Sequence, residues 1–128
     1  MTQEEKQLLV KALCGYFPYG IMCRMSGSGF ETIEDKLTAI GLFQFVEEGL
    51  ECIPYLRPLS SMTFEERSFC LKRGTIGYDE NDKIFDVYPY GLEKTMEVID
   101  FLNAHHFDYR GLIEKGLAIK APEGMYKI

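Results

Sequence analysis

The chain has 128 residues, with 14 lysines and arginines against 20 aspartates and glutamates, so its formal net charge is −6. This length predicts a single domain with one sizeable core, and 46% hydrophobic with 13% aromatic residues excludes a disordered tail. The excess of acid argues against direct binding to nucleic acid, because that affinity comes largely from Lys and Arg side chains at the phosphates.

The N-terminal part is predicted to form a helix followed by a strand. Thr2 and Glu5 are spaced as a capping box, in which each side chain accepts a hydrogen bond from the other residue's amide. Apolar residues then recur at helical spacing, which predicts a helix over residues 3–14 with Gly15 as a left-handed stop. Residues 19–25 alternate between two faces and predict a strand.

The following segment is predicted to form more strands. Residues 26–29 are expected to be a flexible break. A long strand is expected over residues 36–47, bent at Gly41, because its Leu-Phe-Gln-Phe-Val run suits burial on both faces. Residues 47–49 are expected to form a tight turn into a strand at 50–53. These strands predict a small curled antiparallel sheet, which would be an SH3-like barrel if it closed on itself.

The second half begins with an extended connection over residues 54–58, bracketed by two prolines. Thr63 and Glu66 form a second capping box, which predicts a short helix ending at Gly74. Residues 75–88 alternate around a polar turn and predict a β-hairpin.

The strongest helical pattern covers residues 92–105, and a late extended segment follows at 116–122. The predicted buried stripe of this helix is Leu92, Met96, Ile99 and Leu102, broadened by Val98 and Phe101. No repeat or linker interrupts the chain. Residues 1–128 are therefore predicted to be one compact α+β domain, in which a small curled antiparallel sheet packs with three helices.

The sequence has no apolar run of about 20 residues and no basic, apolar start, so we expect no membrane span and a cytoplasmic location. In a reducing compartment, the four cysteines are expected to be small buried thiols. None is spaced as Cys-x-x-Cys. They are Cys14, Cys23, Cys52 and Cys70.

The densest polar cluster contains His105, His106, Asp108 and Arg110. Adjacent helical residues point about 100° apart, so the two imidazoles do not converge on one metal. A helix C-terminus is also favourable for His. We therefore expect a cap and a packing corner in which Arg110 pairs with Asp108; the alternative is a catalytic site built from these four residues.

No cofactor or metal site is predicted. The Ser-Gly-Ser-Gly-Phe stretch at 26–30 lacks the Lys of a phosphate-binding loop, and the acidic stretch at 79–83 lacks the spacing of a calcium loop. A cysteine nucleophile would need a neighbouring base, and no local pattern selects one.

The chain carries 8 tyrosines, a residue favoured where one end is apolar and the other is wet, as at binding surfaces. Two clusters are predicted to be exposed and to contact a protein partner. One contains Tyr55 and Arg57, and the other contains Tyr88 and Tyr90.

Four stretches together carry a resemblance to a protein family: PYLRPLSSMT at 54–63, FLNAHHFDYRGLI at 101–113, GLA at 116–118 and APEGMY at 121–126. They resemble a family of small proteins found in phages, prophages and mobile elements of gut bacteria. That family has no assigned activity, so the resemblance implies no catalytic or binding residue. It implies an accessory protein of a phage or prophage, located in the bacterial cytoplasm.

The favoured hypothesis is a non-enzymatic module that binds another protein. One alternative is a small enzyme that uses the histidine cluster. Another is an acidic regulator of a nucleic-acid enzyme, which requires one continuous acidic face. That face would contain Glu4, Glu5, Glu31, Glu34, Asp35, Glu47, Glu48 and Glu51.

Overall fold

A computed structural model describes residues 1–27 and 29–126, and in these residues the chain forms four α-helices and seven strands. The helices are α1 (Gln3–Tyr16), α2 (Ala39–Glu47), α3 (Phe64–Leu71) and α4 (Gly91–Ala104). The strands are β1 (Met22–Gly27), β2 (Phe30–Lys36), β3 (Glu51–Pro58), β4 (Gly74–Tyr78), β5 (Ile84–Pro89), β6 (Phe107–Asp108) and β7 (Ile119–Lys120). The predicted α+β class is confirmed, with one more helix than expected.

The larger sheet is centred on β3. Strand β1 pairs antiparallel with β2 and with β3, whereas the short strands β6 and β7 each pair parallel to β3. Strands β4 and β5 form a separate antiparallel hairpin, as predicted. The larger sheet is mixed and does not close into a barrel in the described residues. The expectation of a purely antiparallel sheet is wrong because the chain after α4 returns alongside β3 in the same direction.

Two apolar clusters fill the interior. The first lies between α1, α2 and the larger sheet, and the second joins α3, α4 and the β4–β5 hairpin. Tyr109 packs against both clusters and links them. Fully buried members of the first cluster include Leu9, Leu13, Tyr16, Ile21, Cys23, Cys52 and Leu56, and buried members of the second include Cys70, Val98, Leu102 and Phe107.

Both predicted capping boxes are present. The Thr2 hydroxyl accepts from the Glu5 amide at 3.1 Å, and the Thr2 amide donates to the Glu5 carboxylate at 2.9 Å. Helix α1 runs through Gly15 to Tyr16, so the predicted stop is wrong. Gly15 instead leaves space for the Asn103 side chain, whose Oδ1 would lie 3.2 Å from an added Cβ.

The predicted strand over residues 36–47 is wrong, because most of this segment is the helix α2. Its N-cap is Thr38, whose hydroxyl accepts from the Gly41 amide at 3.0 Å. Gly49, with a left-handed φ of 75°, follows its C-terminus rather than forming a hairpin turn. Gly41 and Phe45 are buried four residues apart, so the inward face repeats as a helix does.

Residues 54–58 belong to β3 and are not a loose connection. The strand tolerates two prolines because its other residues make the ladder hydrogen bonds. The Arg57 amide donates to the His106 carbonyl and the Ala121 amide donates to the Leu56 carbonyl, both at 2.8 Å. The consequence is that a segment expected at the surface is the centre of the sheet.

Helix α4 is confirmed, but its predicted buried stripe is only partly right. Leu92 and Met96 are 79% and 60% exposed, whereas Val98, Leu102 and Asn103 are buried. The N-terminal half of α4 therefore extends past the core, and the apolar stripe is longer than the surface it packs against.

The four cysteines are free thiols. Cys23, Cys52 and Cys70 are buried, as predicted, but Cys14 is exposed. A hydrogen bond with Cys52, together with burial, raises the pKa of Cys23. The predicted flexible break at 26–29 is wrong for Ser26 and Gly27, which belong to β1, and Ser28 lies outside the described residues.

Candidate functional site

The four residues of the predicted polar cluster occupy separate environments. His105 ends α4 as its C-cap. Its Nδ1 lies 3.3 Å from a carboxylate oxygen of Glu66, and its ring packs on Phe101 with centroids 4.3 Å apart. His105 therefore faces α3 and the second apolar cluster.

His106 faces a different neighbourhood. Its backbone is left-handed, with a φ of 61°, and its buried ring stacks on Tyr126 at 3.8 Å. Its Nε2 lies 3.2 Å from the Tyr19 carbonyl oxygen. Burial lowers the pKa of His106, although the neighbouring backbone carbonyls oppose the shift. The imidazole packs between Tyr126 and the turn at Tyr19 and faces away from His105.

Asp108 and Arg110 have local roles. The Asp108 carboxylate accepts from the Leu112 amide at 2.8 Å and from the Ile113 amide at 3.0 Å, so it fixes the turn that follows. The Arg110 guanidinium lies over the Tyr109 ring, 5.3 Å from its centroid. No Asp108–Arg110 pair forms in the described residues. The structure thus does not gather the four side chains into one pocket.

A buried ion pair joins Arg57 and Glu66, and Glu66 was not predicted from the sequence as a partner of Arg57. The two terminal nitrogens of the Arg57 guanidinium, Nη1 and Nη2, each donate to one oxygen of the Glu66 carboxylate at 2.8 Å. Arg57 also donates to the carbonyls of Ser61 and His105, and its guanidinium covers the Phe107 ring at 4.2 Å. Burial raises the pKa of Glu66, but hydrogen bonds from Arg57 and the Thr63 amide outweigh it, so the net pKa is lowered.

A shallow groove of about 590 Å³ opens beside this pair, lined by Thr63, Glu65, Glu66, Phe69, Phe101 and His105. A carboxylate that orients an imidazole is one part of many acid–base sites. The one hydroxyl in the groove lining, that of Thr63, accepts from the Glu66 amide as part of the α3 capping box. Among the described residues, no three His, Cys, Asp or Glu side chains converge to hold a metal ion. The cluster ties β3 and α4 to α3 through the contacts of Glu66 with Arg57 and His105.

The two predicted partner clusters differ in exposure. Tyr55 and Arg57 are 3% and 6% exposed, so the expectation that this segment is a surface patch is wrong. The Tyr55 hydroxyl donates to Glu34 at 2.6 Å and accepts from Arg24 at 3.2 Å. The Glu34 contact raises the pKa of Tyr55.

Tyr88 and Tyr90 are exposed, at 48% and 62%. Tyr88 lies in β5 and Tyr90 directly follows the strand, with the half-buried Pro89 between them. The rings of Tyr88 and Phe85 also approach the same face of β4, since an added Cβ on Gly77 would lie about 3 Å from both. Part of this aromatic surface is thus covered by the hairpin itself.

The acidic residues do not form one face. Strand β2 carries Glu34 and Asp35 next to each other, so the two carboxylates point to opposite sides of the sheet. Glu34 contacts Arg24 and Tyr55, whereas Asp35 lines a groove beside α2. The continuous acidic face required for the regulator hypothesis is absent from the described residues.

The outer face of α2 is a second feature that was not predicted from the sequence. Ile40, Phe43 and Val46 are 71%, 56% and 38% exposed, and they lie three residues apart along one side of the helix. We call these three residues the α2 patch. Beside them, a groove of about 180 Å³ leads past the half-exposed Ile33 of β2. The three-residue spacing of these apolar side chains is typical of one face of a helix. It was not used because residues 36–47 were predicted to be a strand.

In the described residues, no helix has the length and apolarity needed to cross a membrane. No protein-family model, curated protein or solved structure matches this chain. Function is therefore inferred from the surfaces and side-chain contacts described above.

Proposed function

We propose that the protein is a non-enzymatic domain that binds another protein, and that the α2 patch is its docking surface. The observation that carries this proposal is the composition of α2. Before its last residue, the only polar side chain of this helix is Gln44, so apolar side chains face both the core and the solvent.

A helix that is apolar all round is normally buried on every side. The inner face of α2 is buried as this rule expects, because Phe45 belongs to the first cluster and Leu42 packs against it. The α2 patch does not, because nothing in the described part of the chain covers it. Full burial of a side chain such as Ile, Phe or Val is worth about 1.5–3 kcal/mol. Covering the α2 patch would therefore contribute substantially to the affinity for a partner.

The exposed tyrosines of the hairpin are the competing surface, and two features favour α2 over them. Each tyrosine carries a hydroxyl that water can solvate, whereas the α2 patch has no polar atom in its side chains. In addition, the Tyr88 and Phe85 rings lie against Gly77 of the hairpin, so part of their apolar area already contacts the protein's own backbone.

The partner is proposed to be a phage protein or a protein of the bacterial host. Support for this part of the proposal comes from the resemblance of residues 54–63 and 101–126 to small phage and mobile-element proteins. Helix α2 lies outside both of these segments, so the resemblance does not bear on the α2 patch itself.

Affinity capture from the cells that naturally contain the protein tests the proposal. We expect one stoichiometric protein partner that survives nuclease treatment, is lost with Phe43→Ser and is retained by the matched surface variant Tyr88→Ser. Retention by Phe43→Ser together with loss in Tyr88→Ser would move the docking surface to the hairpin. Capture of nuclease-sensitive material alone would contradict a protein-binding function.

A further inference from the structure

The two ends of the α2 patch differ in charge. At the C-terminal end, Glu47 and Glu48 are exposed and directly follow Val46. The carbonyl groups at the end of a helix add a partial negative charge there. This end of the patch is therefore suited to a cation.

Helix α1 reaches the same end of α2 through Lys6. The Lys6 ammonium donates to the Val46 carbonyl at 3.2 Å and lies over the Phe45 ring, so the first turn of α1 is close to the end of α2. That first turn carries Glu4 and Glu5. The Lys6 ammonium is engaged with the Val46 carbonyl, and the exposed Glu47 and Glu48 carboxylates are the charged groups that α2 itself presents at this end.

The opposite end of the patch is balanced. Asp35 and Lys36 both line the groove that begins beside Thr38, the N-cap of α2. One acid and one base offer no net attraction to either sign of charge. The charge difference along α2 thus distinguishes its two ends, which a purely apolar patch would not do.

We infer that the occupant of the α2 patch is a basic, amphipathic segment of another protein, with its Lys or Arg residues placed over Glu47 and Glu48. This inference rests on the proposed function, because it names the partner of the same surface. Its apolar side chains would cover Ile40, Phe43 and Val46. Complementary charge at one end would set the direction in which the segment docks.

The test uses two synthetic amphipathic helical peptides, one built from Leu and Lys and the other from Leu and Glu in the same pattern. Each is titrated into the full isotope-labelled chain and followed by NMR. We expect the Leu/Lys peptide to shift the resonances of Ile40, Phe43 and Val46, and the Leu/Glu peptide to leave them unchanged.

Charge-reversal variants separate local recognition from general attraction to an acidic protein. Glu47→Lys/Glu48→Lys should lower the affinity for the Leu/Lys peptide by about tenfold, as expected for close charge pairs at an interface. The control Glu80→Lys/Glu114→Lys changes two exposed carboxylates elsewhere by the same charge and should leave the affinity unchanged.

Equal weakening in both double variants would overturn the inference, because the attraction would then be to net charge alone. Equal binding of the Leu/Glu peptide at the α2 patch would also overturn it, while leaving the proposed docking surface intact. Failure of both peptides to perturb the α2 patch would count against the docking surface itself.

Discussion

The guanidinium of Arg57 and the carboxylate of Glu66 form a bidentate pair inside the protein, with both N–O distances at 2.8 Å. The two side chains are 8% and 5% exposed. Arg57 comes from the central strand and Glu66 from the first turn of α3. The pair therefore fixes α3 against the sheet, and its Glu66 carboxylate also accepts from the Thr63 amide in the capping box of that helix.

We expect Arg57→Met to destabilise the fold by about 3–5 kcal/mol, because it leaves the Glu66 carboxylate buried without its cation. Urea unfolding measures this change. The matched control is Arg24→Met, which breaks an exposed pair with Glu34 and should cost about 0–1 kcal/mol. Similar losses for both variants would show that the interior pair is no more important than a surface pair.

The capping boxes and β3 show what local sequence can and cannot predict. Thr2 with Glu5, and Thr63 with Glu66, lie three residues apart, so their hydrogen bonds are evident from spacing alone. The partnership of Glu66 with Arg57 depends on how β3 and α3 pack, and spacing does not report that contact. The segment around Tyr55 was expected at the surface because its two prolines suggested a connection, yet hydrogen bonds from other residues keep it within the sheet.

The prediction of a strand over residues 36–47, where the structure has α2, was wrong for a physical reason. The run Leu42–Val46 has high strand propensity, and its N-cap Thr38 is followed at the third position by Gly41 rather than by Glu or Gln. The usual capping-box signal was therefore missing. Because the docking surface lies on this helix, the same error concealed the candidate site.

Burial of His106 predicts a pH dependence of stability. Its pKa in the folded protein lies below the ordinary value of 6.5, so the unfolded chain binds the proton more readily. Stability contributed by the neutral ring is complete above about pH 6.5 and is lost as the pH falls through that value toward the lower folded pKa. Urea unfolding across this range should show a decline that His106→Asn removes. His105→Asn should keep the decline, and its loss there would contradict the assignment.

Tyr126 fastens the end of the described chain to the sheet. Its hydroxyl donates to the Tyr55 carbonyl at 2.7 Å and accepts from the Met22 amide at 3.0 Å. Tyr126→Phe leaves both backbone groups without this partner and should destabilise the fold by about 1–3 kcal/mol. Thermal and urea unfolding measure the change. The control Tyr90→Phe alters an exposed hydroxyl and should have no measurable effect; equal losses would contradict the role of Tyr126.

Two phenylalanines of α2 test the orientation of the helix. Phe43 is 56% exposed and Phe45 is 3% exposed. Phe43→Ser should change the free energy of unfolding by no more than about 0.5 kcal/mol, as is usual at the surface. Phe45→Ser opens a cavity, places a hydroxyl in the core and should cost about 3–5 kcal/mol or more. The reverse ranking would show that α2 presents its other face to the core.

Site-specific photo-crosslinking tests the central claim most directly. A photoreactive phenylalanine analogue replaces Phe43 in the full chain, and a second version carries it in place of Tyr88 as the matched exposed control. After irradiation in the native cells, the account predicts a crosslink to a different protein from position 43 and none from position 88. A crosslink only from position 88, a crosslink from position 43 only to a second copy of this chain, or no crosslink at either position would contradict it.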